Sequence, residues 1–143
     1  MKRFEFSLDR AMEWRRLQAR IEESKLERLH SEMRDFGQQI ETLASQRDSA
    51  GRTLISTGEA TGLELTLLDA FRQAADAELT RLERSKTDCR QRVEAQAWAV
   101  GEKRRDVRLL AKLKERKFQS WRVAANREID QQAEEAYLAR WTA

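Results

Sequence analysis

Residues 63–141 contain no proline and a single glycine, Gly101, and their apolar side chains recur at steps of three and four. A run of that length without a helix breaker, carrying a 3.6-residue stripe, specifies one very long helix. The one other segment able to pair with it, residues 7–50, is little more than half as long, so the second helix must outrun its partner. The fold expected is all-α: a two-helix antiparallel coiled-coil hairpin, one domain over residues 1–143, with the second helix longer than the first. Its parts are a first helix over about 7–50, a turn over about 51–62 and a second helix over about 63–141.

Composition narrows the function classes. Charged residues make up 37% of the chain and the mean hydropathy is −0.82, outside the usual range for a globular domain. The apolar residues suffice for a seam between two helices, but alanine supplies much of that fraction, so neither a multilayer core nor a catalytic cleft is expected. The single cysteine, Cys89, excludes an internal disulfide, and the opening residues, MKRFEF, lack the apolar run of a secretory signal, which points to the cytosol. No stretch approaches the ~20 apolar residues of a spanning helix. Membrane association, if any, is expected to be peripheral or through a partner, without direct insertion.

In the first helix Leu26, Leu29, Met33, Phe36, Ile40, Leu43, Ala50 and Leu54 form a heptad seam in which Arg47 takes one slot. Upstream, Leu8, Trp14, Leu17 and Ile21 keep helical spacing, and the step of five from Ile21 to Leu26 predicts a local change of supercoiling. Gly51, Gly58 and Gly62 mark the break, and Thr61-Gly62-Leu63-Glu64 fits a capping box that opens the second helix. There, one seam line is Leu65, Leu79, Val93, Val100, Val107 and Trp121, and the other is Leu68, Ala75, Leu82, Cys89, Leu110 and Ala124. Arg72, Lys86, Gln96 and Lys103 interrupt these lines, lowering stability while favouring one register.

A turn centred near Thr57 sets Leu43 near Phe71, Trp14 near Val100 and Trp98, and Leu8 near Asp106. Beyond about residue 110 the second helix then has no partner within the chain, an overhang of ~30 residues or ~45 Å. This overhang still carries an apolar stripe of Phe118, Trp121, Ala125, Ile129, Ala133, Ala136 and Tyr137. Its charge is segregated: residues 101–127 hold ten Lys/Arg against three Asp/Glu, and residues 128–143 hold one against four. A solvated charged face accounts for the charge alone. The unpaired apolar stripe argues for a docking surface.

Other chemistries find little support. Lys and Arg on a helix can neutralise phosphates, but the net charge is only +3 and no polar base-reading residues sit in a basic region ahead of a parallel zipper. The aromatics follow the seam and do not interleave with the arginines, so nucleic acid is not expected as a partner. With His30 and Cys89 each the only residue of its type, neither a zinc site nor a Cys-His nucleophile pair can be assembled. Cys89 falls on a seam line, where a thiol packs as a small apolar group. Carboxylate pairs such as Glu22-Glu23 and Glu134-Glu135 are expected by chance in so charged a helix, and the glycines at 51, 58 and 62 lack the lysine of a phosphate loop. Neither an enzyme nor a bound cofactor is expected.

Both ends of the chain resemble the FliJ family. The start carries Phe4-Glu5-Phe6-Ser7-Leu8, Met12 and Trp14-Arg15, and the end carries Leu113-Lys114-Glu115-Arg116-Lys117, Arg127-Glu128-Ile129-Asp130, Glu134-Glu135 and Trp141. The family consists of small antiparallel coiled coils of this length. The resemblance implies a cytosolic component of the flagellar type III export apparatus, similar in shape to the central stalk of rotary ATPases and held peripherally at the cytoplasmic face of the inner membrane. It implies three partners: the hexameric export ATPase, the cytoplasmic domain of the export gate, and export chaperones.

On that resemblance the ATPase end uses Phe4, Phe6, Leu8, Trp14, Arg104, Arg105, Lys112, Lys114, Arg116 and Trp121, and the gate end uses Gln39, Leu43, Phe71 and Ala75. Where members often have tyrosines this chain has Gln46 and Ala50. Free of partners the chain is expected to be a monomer. The rival readings are the equivalent stalk of a virulence secretion system and a structural or adaptor coiled coil that dimerises through the overhang.

Overall fold

The computed structural model describes residues 2–142, which form two helices: α1, Asp9–Ser56, and α2, Gly62–Thr142. Among the described residues there is no strand, and the architecture is the all-α two-helix hairpin with the longer second helix. The chain divides into two compact units, one over Glu23–Ala99 and one formed by the residues up to Glu22 with those from Val100 onward.

The Glu23–Ala99 unit contains the turn. Gly51 lies inside α1, and the connection shrinks to residues 57–61. Ser56 Oγ donates to the Thr53 carbonyl at 2.9 Å and Thr57 Oγ1 to the Leu54 carbonyl at 2.8 Å, satisfying carbonyls that the ending helix leaves open. Gly58 then takes φ 69° and donates its N–H to the Ile55 carbonyl, the left-handed position after a helix end that glycine occupies without Cβ strain. The expected capping box is present. Glu64 N–H donates to Thr61 Oγ1 at 3.2 Å, and Thr61 N–H donates back to Glu64 Oε2 at 3.4 Å.

Two residues' shift of the turn centre, from Thr57 to Glu59, moves every partner along α2. Cys89 Sγ lies 3.4 Å from the Leu29 carbonyl, and Arg47 Nε lies 2.9 Å from Asp76 Oδ1. Both α2 residues stand at least one helical turn further along than a centre at Thr57 predicts. The pairing of Leu43 with Phe71 is corrected accordingly: Leu43 lines a shallow groove with Glu78 and Leu82.

The seam of this unit buries Ala75, Leu82 and, completely, Cys89. Its charged slots are matched one by one across the helices. Arg47 meets Asp76, the Arg72 guanidinium lies where a side chain on Gly51 would stand, and Lys86 Nζ lies 3.8 Å from the Cβ position of Gly37. Arg72 therefore crosses the seam over a glycine, where no Cβ blocks it, whereas Lys86 stands at ordinary contact distance from Gly37.

The other unit corrects the upstream stripe. Met12 and Ala19 are buried, with Arg15 partly covered between them and Glu22 after them, so the seam keeps steps of three and four and the predicted step of five is absent. Trp14, Leu17 and Ile21 lie outside it, Trp14 at 58% exposure. The register shift is repeated here. Asp9 meets Lys114 at 2.8 Å and Arg15 meets Asp106 at 3.5 Å, so Leu8 does not stand level with Asp106. None of the described helices is long and apolar enough to cross a membrane.

Candidate functional site

The residues ahead of α1 fold back along α2 as an aromatic clasp. Residues 2–6 are non-helical and 7–8 turn into α1, where Asp9 N–H donates to the Phe6 carbonyl and Met12 N–H to the Leu8 carbonyl. Phe4 and Phe6 both turn towards α2. Phe6 is buried at 7% exposure. The Phe4 ring meets Phe118 edge-on, with centroids 5.2 Å apart at 77°, and Trp121 at 5.9 Å, while Phe118 and Trp121 stack at 5.8 Å and 26°. Such geometries add about 0.5–1.5 kcal/mol per pair beyond area burial.

Polar groups fasten the same segment. Trp121 Nε1 donates to the Lys2 carbonyl at 3.1 Å. Lys114 Nζ donates to Asp9 Oδ1 at 2.8 Å and stands 6.0 Å from the centre of the Phe6 ring, at the outer limit of a cation–π contact. Asp9 also sits in the first turn of α1, where the exposed N–H groups favour a carboxylate.

The clasp shortens the predicted overhang. Phe118 and Trp121 are partly covered and Ala125 is buried, so the fully exposed part of α2 is residues 126–142 in place of everything past 110. The seam position near this end is Ala125, and Ala124 is exposed.

The ten residues assigned to an ATPase end all fall in this one unit but divide into two groups. Phe4, Phe6, Lys114 and Trp121 are engaged within the chain by the clasp. Leu8, Trp14, Arg104, Arg105, Lys112 and Arg116 are exposed. The residues assigned to a gate end are less united: Gln39 and Leu43 line one shallow groove with Asp35, Gln38, Thr42 and Gln46, whereas Phe71 and Ala75 do not line it and Ala75 is buried in the seam.

Two apolar stripes face outward, the first of them read from the sequence as a continuation of the seam and the second not read. On α1, Trp14, Leu17 and Ile21 step by three and four and all stand exposed. On α2, Leu109, Val123, Tyr137 and Trp141 are exposed and share one face with Arg105, Lys112 and Arg116. At about 100° per residue this face is opposite the seam. Its own period was available in the sequence, but a single stripe was assigned to each helix. In comparison with known proteins, no family model, no curated protein and no solved structure matches the chain.

Proposed function

We propose that the chain is a stalk-like coiled coil of the flagellar type III export apparatus. The unit holding both chain ends seats in the hexameric export ATPase and promotes ring assembly and hydrolysis. The observation that carries this reading is the packing of the N-terminal segment on α2 to form one clasped end whose surface is basic and includes an exposed tryptophan: Arg104, Arg105, Lys112 and Arg116 on α2, with Leu8 and Trp14 on the N-terminal side. A ring lined with carboxylates selects such an end by charge and shape, without a pocket.

In this reading the protein catalyses no reaction itself and binds no cofactor. It works in the cytoplasm, peripherally at the inner membrane through the export apparatus, and does not engage nucleic acid. The polar groove around Gln39 and Leu43 serves the export gate, and the turn-proximal part escorts export chaperones. Free of the ring the chain is a monomer at low micromolar concentration.

The test is ATP hydrolysis by the cognate export ATPase, measured alone, with the full chain and with a chain truncated after Arg108. Stimulation by the full chain and its loss on truncation is the expected outcome. Equal rates in all three samples would sink the proposal.

A further inference from the structure

The outward face of α2 beyond Val100 is self-complementary about Val123. Arg116 stands seven residues before Val123 and Asp130 seven after; Lys112 eleven before and Glu134 eleven after. Leu109 stands fourteen before and Tyr137 fourteen after; Arg105 eighteen before and Trp141 eighteen after. All of these side chains are exposed, and at about 100° per residue they fall within an arc of about 80°. This face needs nothing from α1, because the seam occupies the opposite side of the helix.

From this symmetry we infer that a second copy of the chain docks antiparallel on this face, with the two Val123 side chains meeting on the two-fold axis. A two-fold antiparallel pairing sets residues at equal distances before and after the centre opposite one another. Each copy then offers two cations to two carboxylates of the other: Arg116 to Asp130 and Lys112 to Glu134. Leu109 meets the shallow groove lined by Ala133, Glu134, Tyr137 and Leu138. Arg105 reaches the Trp141 ring, which already packs against Tyr137 at 6.1 Å, a guanidinium on an indole face. Directly on the face, Arg127 meets Gln119, so no like charges oppose each other.

Few of the paired positions are apolar, so the association is weak, ionic and dissociated by salt. It belongs to concentrated, low-salt conditions and leaves a monomer at low micromolar concentration. The pairing stands independently of the export-stalk reading. One consequence does rest on that reading: Arg105, Lys112 and Arg116 are among the residues assigned to the ring, so a paired chain cannot seat.

Sedimentation of the full chain alone tests the pairing, at about 100 µM and at about 50 and 500 mM salt. Dimer at low salt and monomer at high salt is expected. K112E/R116E and D130K/E134K should each weaken self-association by roughly tenfold or more, because like charges then face each other. An equimolar mixture of the two variants should restore a dimer, since every cation again meets a carboxylate. V123C should oxidise to a covalent dimer, whereas A111C should not, its two thiols standing about 36 Å apart in the pair. A chain that stays monomeric at every salt concentration, a dimer indifferent to salt, a variant mixture that fails to pair, or A111C cross-linking as well as V123C would each overturn the inference.

Discussion

Phe6→Ala should open the clasp while leaving both helices intact. Phe6 is nearly fully buried and carries the Lys114 ammonium beside its ring. Its truncation removes about 2–3 kcal/mol, the burial term for one such side chain without the added cavity term of a rigid core, because the terminal segment can relax around the site. The segment before α1 has no helical hydrogen bonds of its own, so this loss falls on a local opening equilibrium and not on global unfolding.

That free energy corresponds to roughly a 30- to 150-fold rise in the open population. Hydrogen exchange reads it directly: the Asp9 and Met12 amides, bonded to the Phe6 and Leu8 carbonyls, should lose protection by that factor. Tryptophan emission offers a second readout. Trp14, Trp98 and Trp141 are all more than half exposed, so a red shift on opening reports Trp121, and W121F should abolish the shift. Unchanged exchange at Asp9 and Met12 would refute the role given to Phe6. Protection lost throughout residues 23–99 would refute the local character of the opening.

Alanine at the glycines should sort by position: G101A and G37A each stabilise by up to about 1 kcal/mol, since neither new Cβ meets an obstacle closer than 3.8 Å. G51A gains less because Arg72 must leave its seat, and G58A loses about 1 kcal/mol at its positive φ; urea melts give the ranking, and G58A melting above the parent would contradict it. Hydrogen bonding from Arg81 holds the Glu78 carboxyl below its ordinary value, with desolvation opposing and the Arg81 charge adding. The pair therefore contributes above the ordinary carboxylate range and loses its contribution as pH falls through the folded value. Because both side chains are exposed, E78Q should melt only slightly below the parent at neutral pH, with the gap closing on acidification; a gap that widens in acid would be the wrong sign.

Legibility followed the strength of local signals. Both α2 seam lines over Leu68–Leu110 were readable because the covered residues there recur every seven positions with few interruptions. The capping box was readable because its reciprocal hydrogen bonds depend only on two side chains three residues apart. The turn was placed too early because Gly51 looked like a breaker when its role is steric, making room for Arg72. That two-residue error passed into the register and shortened the predicted overlap by at least a helical turn. Near the N-terminus the larger side chains, Trp14, Leu17 and Ile21, drew the stripe to themselves, while the seam runs through Met12, Arg15, Ala19 and Glu22. The clasp could not be read at all, since its partners Phe4 and Phe118 lie far apart in the sequence and outside any shared period.

The clasp also bears on how any ring would receive this end. A ring that grips Phe4, Phe6 and Trp121 directly must first separate rings already packed at 5.2–5.9 Å and break the Trp121 bond to the Lys2 carbonyl. The cost of opening is then subtracted from the binding energy. A ring that grips Leu8, Trp14, Arg105, Lys112 and Arg116 meets exposed side chains on a segment the clasp already holds in place, so less conformational freedom is lost on docking. In the export-stalk reading, the clasped aromatics are therefore positioning residues that fix the N-terminal segment on α2. The exposed cations and Trp14 are the residues that touch the partner.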